Sequence, residues 1–171
     1  VVALVRAGAV LTNGKLHERP DDLAALTHPS AADYRSTPVN NTIDKIAWIH
    51  LDNGKILSTR SRGKNAYYIP GGKREPGETD LDTLIREIDE ELSITIIPAT
   101  ATHVGTYQAQ AHGHADGVIV RMTCYTADHL GVPTPSSEIE EITWLTYADR
   151  GRVSPVDQII FDHLRQTGRL H

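Results

Sequence analysis

GGKREPGETDLDTLIREIDEELSI, Gly71–Ile94, joins two glycines and a polar turn to a run crowded with glutamates. With Glu87 as origin on a helix of about 100° per residue, Glu90 falls at about −60°, Glu91 at about +40° and Asp80 at about +20°. Leu81, Leu84, Ile85, Ile88 and Leu92 gather on the adjoining face. One helix is therefore expected to carry a carboxylate face beside a core face. Thr79 is suited to cap it, with Asp82 three residues on as the reciprocal partner, which pins the helix where the glycine turn ends. Like charges three and four residues apart cost a helix about 0.2–0.5 kcal/mol per pair. An acidic face of this kind is either simply solvated or set out for a cation. Hard divalent ions such as Mg²⁺ and Mn²⁺ take oxygen ligands, and Mg²⁺ combines one or two carboxylates with waters and substrate phosphates.

Outward from this segment, the 171 residues suffice for one domain with its own core. A formal charge of −5 argues against a nucleic-acid polymer as partner, since phosphate binding over a broad surface needs a basic excess. A single cysteine, Cys124, excludes an internal disulfide and a multi-cysteine zinc site. It reads as a small buried apolar residue in a strand, and a reducing cytoplasm fits such usage. The opening VVALVRAGAVL is interrupted by Arg6 and reads as a strand rather than a signal peptide or membrane span.

Residues 1–41 read as an N-terminal extension, a hairpin followed by an irregular segment with Pro20, Pro29 and Pro38. LTNGKL (11–16) resembles LDNGKI (51–56), but Asn-Gly is a common hairpin signal, so two independent hairpins are expected rather than a repeat. From Asp44 the chain turns regular. KIAWIHL, KILSTR and YYIP read as three short strands, with a turn at Asn53-Gly54. THVGTYQAQ and GVIVRMTCYTA follow the glutamate helix, the latter alternating Val118, Val120, Met122 and Cys124 against Ile119, Arg121, Thr123 and Tyr125. EEITWLTY is a further strand, and Ser154-Pro155 opens a last helix with Val156, Ile159, Ile160 and Leu164 on one face. Strands, helix, strands, helix predict a layered α/β domain over residues 42–171.

Written by position, the decisive stretch is Gly72, five residues, Glu78, seven residues, Arg86-Glu87-Ile88-Asp89-Glu90-Glu91, then Leu92, Ser93 and Ile94. It resembles the Nudix box of the MutT-like hydrolases, except that Ser93 stands where a glycine is usual. The resemblance extends from about Asp44 through the last helix and leaves residues 1–41 uncovered. It implies an α/β/α sandwich with a mixed sheet and a catalytic helix after the glycine loop. The implied activity is Mg²⁺- or Mn²⁺-dependent cleavage of a nucleoside diphosphate linked to another group. Carried over by position, Glu87, Glu90 and Glu91 would be metal ligands with the Gly71 carbonyl, and Glu87 would also help to activate water. Arg86 would pair with Glu78 and orient the helix. Among Glu138, Glu140 and Glu141, a downstream acid completing the metal site is expected, with Glu141 preferred.

Arg60, Arg62, Lys64, Lys73 and Arg74 are candidates for phosphate contact, Arg60 first. Gln108, Gln110, His112 and His114 are candidates for a base or sugar, against the plainer reading of a polar loop. The upstream signature of the coenzyme A subgroup, the downstream proline of ADP-ribose hydrolases and the NADH-type SQPWPFP stretch are absent. By elimination a small nucleotide, a canonical or modified nucleoside triphosphate, is the expected substrate. A nucleotide-sugar or ADP-ribose pyrophosphatase is the alternative enzyme. A non-catalytic nucleotide sensor, pairing as a homodimer through the N-terminal extension, is the alternative of another class. The intact glutamate trio argues against the sensor.

Overall fold

The computed structural model describes residues 41–171 in full, and before them the strands β1 (Val10–Thr12) and β2 (Lys15–His17). The remainder of VVALVRAGAVL and the proline-bearing segment up to residue 40 lie outside the described residues. Val1–Val39 and Asn40–His171 form separate compact units. In the first, β1 and β2 pair antiparallel, Thr12 opposite Lys15.

In the second unit, β3 (Thr42–Trp48) lies at the centre of a four-stranded mixed sheet, between β6 (Gly71–Lys73) and β9 (Ile119–Thr126). β3 runs antiparallel to β6 and parallel to β9, and β8 (Thr102–Gln110) closes the far edge antiparallel to β9. Successive β3 side chains point to opposite faces, and both faces are covered. Ile46 and Trp48 are buried in one core cluster and Ala47 in the other, with Ile43 packed against the second. A second sheet holds β4 (Leu51–Asp52), β5 (Lys55–Ser61) and, after the two-stranded pair of β7 (Thr95–Ile96) with β10 (His129–Leu130), the strand β11 (Ile139–Leu145). Asn53 (φ 48°) and Gly54 (φ 73°) form the two-residue β4–β5 turn, whose paired positive φ angles match strand twist.

The helix α1 (Asp80–Leu92) has the expected faces. Leu84, Ile88 and Leu92 are buried against Ile46, Trp48, Leu57, Ile94 and Ile96, with Leu81 and Ile85 at the margin. Its capping box is present: Asp82 N–H donates to Thr79 Oγ1 (3.2 Å) and Thr79 N–H to Asp82 Oδ2 (3.0 Å). Ser93 ends it in the left-handed region (φ 53°, ψ 39°), its N–H donating to the Asp89 carbonyl. The helix α2 (Pro155–Gln166) covers the other side of the sheet with Val156, Ile160, Phe161 and Leu164, among Val120, Met122 and Cys124. Burial raises the Cys124 thiol pKa, in keeping with an inert core residue.

Two sequence expectations are revised. YYIP is no strand: Tyr67 and Tyr68 make single bridges to Val153 and Thr59, and the ladder begins only at Gly71. Pro70, without an N–H, separates the two. Ile159 is 40% exposed, because it lies about 100° behind Ile160 and away from the core stripe, whereas Phe161 is fully buried.

Candidate active site

The β6 backbone brings α1 against the sheet. Gly71 has φ +135°, where a Cβ would strike the Ile46 carbonyl, and a Cβ on Gly72 would overlap the Glu87 carboxylate. Both glycines are thus demanded by close approach. The α1 carboxylates differ in exposure. Glu90 is half-exposed, the Glu87 side chain is 14% exposed, and Glu91 is buried at 8%. Glu91 Oε2 accepts from the Gly71 N–H at 3.0 Å. Burial pushes its carboxyl up to about 8, against the Gly71 hydrogen bond and the Lys45 charge that favour ionisation; Glu138 and Glu87 add to the rise.

Arg86 organises this face. Its Nε and Nη2 hold Glu78 in a fork at 2.6 and 2.9 Å, Nη1 donates to Glu87 at 2.9 Å, and Nη2 also reaches the Lys73 carbonyl at 3.1 Å. Nη1 lies 3.6 Å from Glu90. Bidentate guanidinium–carboxylate geometry of this kind fixes orientation as well as charge. The Arg86 fork, the Glu75 N–H and the Thr83 hydroxyl hold the Glu78 carboxyl down at about 2. The Arg86 guanidinium is in turn shifted upward, chiefly by Glu78.

Glu87 and Glu91 open onto a cavity of about 390 Å³ walled by Gly71, Gly72, Lys45, Lys64, Lys73, Tyr68 and the histidines of the β8–β9 loop, His112 and His114. Beside it lies a smaller, more apolar slot of about 120 Å³, floored by Ile43, Ala111, Val120, Met122 and Val156. Tyr68 and His112 stand between them, phenol oxygen to Nδ1 at 2.7 Å.

The other candidates separate clearly. Arg60 and Glu141 face each other across β5 and β11: Arg60 donates to Glu141 Oε2 from Nε (3.1 Å) and Nη2 (2.8 Å) and to Glu140 from Nη1 (2.9 Å), and the Tyr67 hydroxyl completes the group at 3.1 Å. Neither Arg60 nor Glu141 lines the cavity; Glu138 does. The β11 register on β5 shifts between Ile139 and Glu141, which leaves Glu141 opposite Arg60, while Glu138 precedes the ladder. Arg62 is exposed and meets the Glu138 carbonyl through its own N–H. Arg74 is held by Asp44 and Asp80. Gln110 is spent on its own loop, bonded to the Ala115 carbonyl (2.8 Å) and the Gly117 N–H (3.0 Å). Lys45 and Tyr68 were not anticipated as cavity residues. Lys45 carried a legible signal: it shares a β3 face with Ile43 and Ala47, where a lysine interrupts an apolar stripe.

Among the described residues no three His, Cys, Asp or Glu side chains are gathered so as to hold a metal ion by themselves. The donor set nevertheless suits a hard divalent cation. It offers carboxylate oxygens beside a glycine backbone and an open cavity with room for water and phosphate, the coordination Mg²⁺ prefers.

The NUDIX domain family model matches residues 43–164, and the chain belongs to that family. Among solved structures it is similar to the ORF135 protein of E. coli, with 25% identity and a TM-score of 0.59, covering 72% of this chain and 91% of that one. A MutT Nudix hydrolase from Burkholderia pseudomallei shares the fold at 22% identity and TM-score 0.60, covering 71% and 96%. Among curated proteins, cleavage and polyadenylation specificity factor subunit 5 of Dictyostelium discoideum is 31% identical over 80 residues. That match covers 43% of this chain and 40% of the relative's length. No helix among the described residues is long and apolar enough to cross a membrane.

Proposed function

We propose that this Nudix domain hydrolyses a nucleoside triphosphate, canonical or modified, to the monophosphate and pyrophosphate. The observation that carries the reading is the packing of Glu87 and Glu91 against Gly71 and Gly72 at the wall of one cavity, with Glu90 alongside and Arg86 bracing the group. Glu87, Glu90, Glu91 and the Gly71 carbonyl would hold Mg²⁺ or Mn²⁺, with Glu138 the downstream acid best placed to join them. When bound, the ion neutralises charge developing on the phosphoryl oxygens and acidifies water. Arg86 and Glu78 keep α1 aimed at the cavity. Attack by water oxygen on a phosphorus breaks one bridging P–O bond, the proton of the water passes to Glu87, and the bridging oxygen leaves on one of the two phosphate products. The apolar slot beside the cavity supports a base as the organic group, which favours a nucleoside triphosphate over a larger two-headed substrate.

The test is a panel of nucleoside triphosphates, nucleotide sugars and ADP-ribose, assayed by chromatography with Mg²⁺, with Mn²⁺ and with EDTA. Triphosphate turnover abolished by EDTA is expected, and Glu90→Gln should lower it by orders of magnitude. Cleavage confined to sugar nucleotides would move the reading to that class. A panel with no turnover at elevated Mn²⁺ would replace hydrolysis by nucleotide binding alone.

A further inference from the structure

Lys45 on β3 and Lys73 on β6 are direct partners in the antiparallel ladder. Directly opposed residues put their side chains on the same face, and like charges so placed are destabilising. Among the described residues neither lysine has an ion-pair partner, although every arginine around the site is paired except the exposed Arg62. Both line the acidic cavity and both line the apolar slot. The strands thus hold two cations together at the junction of the two spaces.

We infer that Lys45 and Lys73 form an anion subsite that takes the phosphoryl group directly attached to the organic moiety lodged in the slot, and binds it without a metal. The inference rests on the proposed hydrolysis for its substrate. The geometry supplies the rest. Lys45 and Lys73 are the cations that line both spaces, so a group seated against Val120 and Met122 that extends toward the α1 carboxylates would carry its first phosphate beside them. Lys45 is central because its strand is buried on both sides and its position is fixed by two ladders, to Lys73 and to Met122. The subsite would give the enzyme a preference for substrates with a phosphate at the slot mouth. It would also retain the monophosphate product after the metal-held product has left.

The experiment uses the full chain in EDTA, with adenosine, guanosine, cytidine and uridine and their 5′-monophosphates as probes in calorimetric titrations. Each bound monophosphate should bind more tightly than its nucleoside, and the increment should shrink as salt rises. Lys45→Met should reduce that increment by about tenfold or more, the size of one charge-assisted hydrogen bond, and leave nucleoside affinity alone. Lys45→Arg should restore most of it. Lys73→Met, at an exposed position, should produce the same loss and decides the matter should Lys45→Met fail to fold. The subsite is overturned if no monophosphate binds more tightly than its nucleoside, or if the increment survives in both methionine variants. Turnover is read separately: an increment without hydrolysis refutes the enzyme and keeps the subsite, and hydrolysis without an increment does the reverse.

Discussion

Asp157 on α2 is fully buried, with Oδ2 accepting from the Ser154 hydroxyl at 2.7 Å and Oδ1 without a partner. Burial pushes its carboxyl up to about 7, against the Ser154 hydrogen bond, the Lys45 charge and the Ile69 amide. The sign of the pH dependence follows. From its ordinary value of 3.8 to about 7 the unfolded chain has lost this proton while the folded chain keeps it, so stability falls as pH rises through that window. At 1.36 kcal/mol per pH unit, the loss attributable to Asp157 is on the order of 3–4 kcal/mol between pH 4 and pH 8. Asp157→Asn keeps an oxygen for Ser154 and removes the titration. Urea unfolding of both proteins in EDTA should therefore give similar stabilities near pH 4 and a variant more stable than the wild type at pH 8. The paired carboxylates with depressed pKa, such as Glu78 and Asp162, titrate in both proteins and cancel in the difference. A stability difference that stays constant across the window would refute the reasoning.

Ser93→Gly should stabilise by on the order of 1 kcal/mol by relieving the left-handed strain at φ 53°, with turnover unchanged; a neutral or negative change in urea midpoint would count against it. Gly72→Ala leaves an ordinary backbone but drives a methyl into the Glu87 carboxylate. It should cost on the order of 100-fold in turnover with little change in melting temperature, because displacing a catalytic group by about 1 Å has that effect. Near-normal turnover would mean that Glu87 relocates freely.

The sequence made α1 legible because three signals converge there: the apolar stripe, the Thr79–Asp82 cap and the carboxylate spacing all specify one helix in one orientation. The strands around it were legible as elements, since period-two alternation and Asn-Gly turns are local. What was not legible depends on pairing. Arg60 and Glu141 look like independent site residues until β5 and β11 come into register and tie them together. Glu138 stands just before that ladder and lines the cavity, a placement set by the pairing of strands far apart in the chain. Gln110 looks free in sequence and is consumed by its own loop. Side chains answer to neighbours far along the chain, and no local pattern carries that information.

The cavity sets two like-charge groupings against each other, and each alone opposes folding. Glu87, Glu90 and Glu91 repel one another on α1, and Lys45 and Lys73 do so across β3 and β6. They could have neutralised each other, yet neither lysine reaches an ion pair with them among the described residues, and Arg86 alone spans the glutamates. Held on separate rigid elements around one cavity, the two groupings leave room between them for something that carries both signs. A metal–polyphosphate complex has that character, with a cation for the carboxylates at one end and unscreened phosphate oxygens for the lysines at the other. On the proposed hydrolysis, this opposition of unlike groupings would favour a nucleotide that arrives with its metal. It also accounts for why a glutamate helix that local repulsion disfavours is braced so heavily, by a capping box, a forked Arg86–Glu78 pair and a buried leucine stripe.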